Sequence, residues 1–209
     1  MSDIEVFNFD QGTPEWHEVR MGIPTASEFD AILTGGKTRT TYLYKLAAEI
    51  LTKESLSFST KHTERGHEYE PAARAGYEFQ TLNDVRQAGF IRNNKYGVGY
   101  SPDGLVGKLG AIEIKTKLPH LHIEVLKSDQ VPAEHVPQCQ GGMWVADLEW
   151  IDFVSYWPGL PLFVKRLYRD DTYIQRLSRA AVTFNDDLAV LVNWLKNYGN
   201  EEGERYGSN

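Results

Sequence analysis

The chain has one cysteine, Cys139, so it can form neither an intrachain disulfide nor a four-cysteine zinc or iron–sulfur centre. It has no run approaching the roughly 20 apolar residues that cross a bilayer. Its opening, MSDIEVFNFDQ, has no basic flank followed by an apolar stretch, as a secretory leader would. The expectation is a cytoplasmic protein without a membrane partner. Positive charge is scarce: 22 Lys and Arg stand against 29 Asp and Glu, a net charge of -7. That balance argues against a protein that coats DNA, because sequence-independent affinity comes from cations replacing phosphate counterions. It leaves room for a local cationic site, since phosphate contact depends on local charge.

Several catalytic signatures are also missing. There is no G-x-S-x-G, and Cys139 has no histidine nearer than His135, so a nucleophilic triad is not indicated. The close histidine pairs, His62/His67 and His120/His122, lack the i, i+4 spacing around a glutamate that a zinc protease needs. Gly35 to Thr38 reads GGKT, but Ala31 stands where a P-loop has its first glycine, and the preceding segment reads as a helix rather than a strand. No internal repeat is apparent, and no Ser, Gly or Pro block divides the chain.

What is present suits one large domain over residues 1–209: 41% hydrophobic residues and five Trp, spread along the whole length. The amino-terminal third reads as helical. TPEWHEVRMG carries Thr13 as cap and Pro14 in the first turn. TASEFDAIL carries a capping box from Thr25 to Glu28, with Gly35-Gly36 as its stop. TTYLYKLAAEILTKE keeps helical spacing, and a fourth helix covers Glu64 to Phe79, with Pro71 bending it or marking its start. From about 85 to 168 the pattern becomes short β-branched and aromatic runs: VRQAGFI, YGVGY, GAIEIKT, WIDFVSYW and LFVKRLY. A Pro-interrupted helical stretch, Pro119 to Ala146, separates the third and fourth of these. An amphipathic helix from about Asp171 to Tyr198 follows, then a polar tail. The predicted class is α/β (α+β), a central mixed sheet flanked by helices.

The segment SPDGLVGKLGAIEIKT concentrates the chemistry. Side chains alternate along a strand, so Ala111, Glu113 and Lys115 share one face of GAIEIKT while Ile112, Ile114 and Thr116 share the other. A hairpin turning at Val106 to Gly110 brings Asp103 beside Glu113. Two adjacent carboxylates repel unless a cation lies between them, and hard oxygen ligands favour Mg²⁺ or Mn²⁺. Such a centre suits phosphodiester hydrolysis: the metal activates water and the phosphoryl oxygen, and Lys115 orients the water. An amphipathic strand with solvated Glu and Lys is the competing reading, and E-x-K by itself is common. Trp16 and Arg20 lie on one helical face, and Ser27 lies in the first turn of the next helix, where amides favour an anion.

Pro102-Asp103 followed by Glu113-Ile114-Lys115 resembles the PD-(D/E)xK nuclease signature. More closely, the first 145 or so residues resemble the phage lambda exonuclease family of viral recombination nucleases. WHEVRMGIPTAS matches that family's W-x-x-x-R-x-G-x-x-T-A-S element, which implies that Arg20 and Ser27, with Trp16, bind the 5′-phosphate of a DNA end. RGHEYEPAAR matches an element that supplies a further metal-site carboxylate, implying Glu70, with Glu68 as the alternative. VPQCQGGMWV resembles the Q-x-Q-x-x-M-W-V helix, implying that Gln140 reaches the cleft and the terminal phosphate, with Gln138 as companion. The resemblance implies a restriction-endonuclease-like core. It also implies two Mg²⁺ held by Glu70, Asp103, Glu113 and the Ile114 carbonyl, and 5′→3′ degradation of one strand of duplex DNA. It further implies a homotrimeric ring, an annealing-protein partner and a phage or prophage origin. A ring lined by Lys37, Arg39, Lys45, Lys61 and Arg65 would reconcile DNA retention with the acidic total charge. A structure-specific or restriction-type endonuclease, and a non-catalytic DNA-end-binding scaffold, remain the alternatives.

Overall fold

The computed structural model describes residues 3–56 and 61–199; of 61–65 and 67 only the backbone is described. The polar tail from 201 onward lies outside the described residues.

The amino-terminal third comprises strand β1 (Ile4–Phe7), helix α1 (Pro14–Arg20), a 3₁₀ turn (Ala26–Glu28), α2 (Phe29–Thr34), α3 (Gly36–Thr52) and α4 (Lys61–Thr81). Helix α1 starts as its sequence dictates: the Thr13 side chain accepts from the Trp16 amide at 3.3 Å, and Pro14 fills the first turn. The expected capping box does not form. Thr25 makes no side-chain cap bond; its hydroxyl pairs with Ser27 Oγ at 3.1 Å, and its amide donates to the Tyr42 hydroxyl at 3.0 Å. Tertiary partners have taken the groups a cap would use, so a 3₁₀ turn precedes α2 where one helix was expected. Gly35, at φ 76°, ends α2 and leads directly into α3. GGKT therefore joins two helices, which removes the strand a P-loop requires. Pro71 lies inside α4.

The strands form two sheets rather than one. Strands β2 (Val85–Arg86), β5 (Gly104–Val106), β6 (Gly110–Lys115), β7 (Trp150–Ser155) and β8 (Phe163–Tyr168) make a five-stranded sheet in that order. Strands β1, β3 (Phe90–Asn93) and β4 (Val98–Tyr100) make a three-stranded one, with β3 central. VRQAGFI is thus split between sheets, and the break falls at Gly89. A Cβ there would lie 1.9 Å from the Phe9 carbonyl oxygen, an approach only glycine permits. Strand β1 carries no alternation to announce it, and its burial is intermediate at the ends and exposed between; pairing of Ile4–Phe7 with Asn93–Phe90 holds it.

Within the larger sheet β6 and β7 run parallel and the other pairs antiparallel, so the sheet is mixed, as expected. The β6–β7 crossover is the Pro-interrupted stretch: α5 (Pro119–Ser128), a 3₁₀ turn (Ala133–His135) and α6 (Val136–Ala146). The final helix, α7 (Asp171–Lys196), buries Ile174, Leu177, Ala181, Phe184, Leu188 and Val192, a single face at 3.6-residue spacing. That face joins α2, α3 and α6 in the main core, which also holds Ala111, Ile151 and Phe153 of the sheet. A smaller core packs Ala73 and Tyr77 of α4 against Ile112, Ile114 and Val154 on the opposite face. Strand β6 is therefore covered on both sides, which makes its two charged side chains conspicuous. No helix of the described residues is long and apolar enough to cross a membrane.

Candidate active site

The hairpin places Asp103 as its register requires. Strand β5 pairs Gly104 with Ile112 and Val106 with Gly110, so the preceding residue falls opposite Glu113. The Asp103 carboxylate accepts the Ile114 amide at 2.6 Å. Glu113 is 1% exposed and gathers three donors: Lys115 Nζ at 2.7 Å, Gln138 Nε2 at 2.5 Å and the Tyr100 hydroxyl at 3.5 Å. Three elements meet there, since Lys115 is on β6, Gln138 on α6 and Tyr100 on β4. Glu70 reaches the same centre from α4. Its carboxylate is bound by Arg74, whose guanidinium also donates to the Asp103 carbonyl at 2.8 Å. Glu70 and Asp103 line one open cleft of about 410 Å³. Glu68 is exposed and lies outside that lining, so of the two glutamates only Glu70 stands in the cleft.

The electrostatics follow from this crowding. Burial pushes Asp103 up to about 6, reinforced by the Glu70 charge, although Lys115 and the Ile114 amide oppose it. Burial raises Glu113 to about 7, with Lys115 opposing and Asp103 adding to the rise. Glu70 is raised by burial and by Glu113, against Arg74. Burial alone would lower Lys115, yet Glu113 and Asp103 hold it above the ordinary lysine value. Lys115 is thus an ammonium donor rather than a proton acceptor.

Three carboxylates that raise one another's affinity for protons are a donor set suited to a hard divalent cation, which would replace protons and relieve the repulsion. They are not preassembled into a cage. Among the described residues no three His, Cys, Asp or Glu side chains stand at ligand spacing, because Glu70 is turned to Arg74, Asp103 to the Ile114 amide and Glu113 to Lys115 and Gln138. Seating a cation requires exchanging some of these donors for it.

The residues expected at the terminal phosphate divide into two groups. Arg20 and Ser27 line a second pocket together, with Glu28, Tyr42, Lys45 and Glu49. The Arg20 guanidinium lies 3.7 Å from the Trp16 ring centroid and 5.9 Å from that of Phe90. Burial lowers its pKa to about 10, so the cation is desolvated, and among the described residues it forms no ion pair. Ser27 sits in the 3₁₀ turn rather than at a helix N-terminus, so attraction for an anion falls on Arg20 and Lys45 more than on a helix dipole.

The two glutamines sit differently from expectation. Gln140, expected to reach the cleft, is buried and spends both ends of its amide on backbone: Nε2 donates to the Tyr168 carbonyl, and Oε1 accepts the Asp170 amide, each at 2.9 Å. Gln138 reaches Glu113 instead. On a helix these two side chains point in directions about 200° apart, so one of them at most can face the centre.

Other sequence expectations shift as well. Of the supposed channel cations, Arg39 pairs with Asp187 at 2.5 Å and lies over the Phe184 ring. Lys45 belongs to the Arg20 pocket, Lys37 is exposed, and the Lys61 and Arg65 side chains lie outside the described residues. Cys139 is fully buried with its thiol raised by burial, and His135 stacks on Phe153 at 5.2 Å, so no thiolate nucleophile arises. Sequence reasoning missed the contribution of Tyr100, which lies just upstream of SPD, and the second contact of Arg74. The i, i+4 spacing of Glu70 and Arg74 signalled only their mutual pairing.

A profile of the YqaJ-like viral recombinase domain matches residues 15–149. A structure of LHK-Exo, an alkaline exonuclease from Laribacter hongkongensis, superposes with a TM-score of 0.84 at 35% identity, over 88% of this chain and 97% of that one. LHK-Exo in complex with dAMP gives the same TM-score and coverage at 36% identity. A phage-related exonuclease from Haemophilus somnus shares the fold, with a TM-score of 0.60 at 17% identity over 81% of this chain and 96% of that one. No curated protein sequence matches.

Proposed function

The chain belongs to the family of YqaJ-like viral recombinase domains and shares the architecture of the alkaline exonucleases, and from that premise we propose a Mg²⁺-dependent 5′→3′ exonuclease. Its substrate is linear double-stranded DNA, of which it degrades one strand to leave a 3′ single-stranded overhang for recombination by strand annealing. The observation that carries this reading is the convergence of Glu70, Asp103, Glu113 and Lys115, together with a half-buried Arg20 that forms no ion pair among the described residues and lines a second pocket.

Glu70, Asp103, Glu113 and the Ile114 carbonyl would hold two Mg²⁺, for which Mn²⁺ can substitute. When bound, the cations polarise the phosphoryl oxygen and lower the pKa of water. The chain's own groups do the rest. Lys115, held as an ammonium by Glu113 and Asp103, donates to the attacking water and offsets the charge developing on the phosphoryl group. Gln138 and Tyr100 orient Glu113. Arg20, stacked on Trp16, and Ser27 hold the 5′-phosphate, aided by Lys45; the desolvated guanidinium gains more from a phosphate than an exposed one would. Fixing the end in this way sets the scissile bond one nucleotide inward and restricts cutting to ends.

A cytoplasmic homotrimeric ring enclosing duplex, working with an annealing protein, completes the proposal. The decisive experiment digests linear duplex labelled at either end, with and without 5′-phosphate and Mg²⁺, beside covalently closed circles. Release of mononucleotides from the 5′ label alone, dependent on Mg²⁺ and on the 5′-phosphate, is expected. Lys115→Ala should lose about 10²–10³ in rate while still binding ends. Circles nicked as fast as linear duplex is shortened would make the enzyme an endonuclease, and release from the 3′ label would reverse the polarity.

A further inference from the structure

A segment on the wall of the Asp103 cleft also leads back toward the Arg20 pocket. After β1 the chain continues as Asn8–Gln11, and the Phe9 and Phe7 carbonyl oxygens press on Gly89, where a Cβ would stand 1.9 and 2.9 Å from them. Gly89 is in turn the acceptor for Trp16, whose indole N–H donates to its carbonyl at 2.9 Å. Trp16 is the ring on which Arg20 stacks. At its far end the segment is tied to the other centre: Gln11 Nε2 donates to the Pro102 carbonyl at 3.0 Å, one residue before Asp103. Phe9, Gln11, Gly89 and Pro102 form a wall of the same 410 Å³ cleft that Glu70 and Asp103 line.

We propose that Asn8–Gln11, packed on Gly89 and tied to Pro102, is a positioning strap that fixes the distance between the Arg20 pocket and the Asp103–Glu113 centre. Arg20, Trp16, Gly89 and Phe9 are joined by contacts, the chain runs from Phe9 to Gln11, and Gln11 is tied to Pro102, the residue before Asp103. Two of these links are hydrogen bonds to backbone carbonyls, and one is a backbone approach that admits no side chain. Gly89 and Gln11 touch no reacting atom; they act through Trp16 and Pro102. The strap rests on the reading of the Arg20 pocket as the site of the DNA end. It assigns to that reading the element that makes the cut fall a constant distance from the end. Displacement of about 1 Å in a reacting geometry costs up to ~10²-fold in rate, so a strap of this kind acts on where the bond is cut as well as on how fast.

Gln11→Ala removes one tie at a half-buried position on the cleft wall, and Gly89→Ala forces the strap off its seat. Both are compared with the wild type on 5′-phosphorylated and 5′-hydroxyl duplex, reading product length, kcat and KM separately, and the thermal midpoint. For Gln11→Ala the expected result is an unchanged midpoint, a preference for 5′-phosphate reduced about tenfold or more, and dinucleotides among the products. Gly89→Ala should show the same change more strongly in whatever fraction folds. If Gln11→Ala slows the reaction yet keeps wild-type product length and 5′-phosphate preference, Gln11 is merely structural and the strap is refuted. A wild type that ignores the 5′-phosphate would refute the proposed function itself, and the strap with it, so the two failures are distinguishable.

Discussion

At the scale of single residues, the centre stores electrostatic tension. Asp103 and Glu113, pushed to about 6 and about 7 chiefly by burial, hold their protons more tightly folded than unfolded. For a carboxyl so raised, the stabilising contribution is fully present below its unfolded pKa, ~4. It is lost as pH rises through the folded value. His135 works in the opposite sense: burial and the neighbouring Lys115 and Lys117 lower it to about 4, so its contribution is present above its unfolded pKa and lost as pH falls through 4. A comparison of variants separates the two. In EDTA, the thermal midpoint of Glu113→Gln should gain on the wild type as pH rises from 5 to 8, because the variant has no charge to bury. Excess Mg²⁺ should reverse the ranking at pH 8, since only the wild type can offer Glu113 to the ion. A midpoint difference that stays flat with pH in EDTA would mean that Glu113 is not strained.

At the scale of elements, the sequence was most legible where one pattern determined one structure. Helix α7 shows its buried face directly in its spacing, and β5 and β6 pair in the register that the Asp103 and Glu113 positions demand. The pattern failed where a tertiary partner overrode it. Thr25 lost its cap to Tyr42 and Ser27, β1 exists only because β3 holds it, and VRQAGFI divides because Gly89 lies against the Phe9 carbonyl. Helix α6 shows why motif spacing alone does not tell which of two glutamines faces the centre. Eight of its residues are buried, so its hydrophobic pattern marks no one face as the active one, and only contacts tell Gln138 from Gln140. Their variants should separate cleanly. Gln140→Ala leaves the Asp170 amide and the Tyr168 carbonyl without their partner at the β8–α7 junction. It should cost about 1–3 kcal/mol of stability with kcat nearly intact. Gln138→Ala should leave the urea midpoint close to wild type and lower kcat, because its side-chain hydrogen bond among the described residues goes to Glu113. The opposite assignment of losses would restore Gln140 to the cleft.

At the scale of the whole molecule, a net charge of -7 and a proposed DNA substrate are reconciled only if cations are concentrated where the phosphates lie. Of the cations expected along a channel, Arg39 joins α3 to α7 through Asp187, while Lys45 lines the Arg20 pocket and, with Lys37, a further open pocket. Lys37, exposed near the start of α3, remains a channel candidate and forms no ion pair among the described residues. The proposed ring then retains duplex by enclosing it more than by charge, and the number of phosphates each subunit neutralises stays small. This distinguishes two kinds of salt dependence. Loading onto an end should weaken with salt, because it depends on the charged Arg20 pocket. The length of strand degraded per binding event, measured against a trap of excess unlabelled duplex, should change little between 50 and 200 mM salt. Over that range a protein relying on 6–10 phosphate contacts would lose ~10³–10⁵ in affinity. Lys37→Gln should shorten the tracts modestly. Arg39→Gln should leave them unchanged and cost no more than about 1 kcal/mol of stability, as expected for a partly exposed pair. Tracts that collapse with salt in the wild type would show that charge holds the duplex, and a monomer by sedimentation at working concentration would remove the ring.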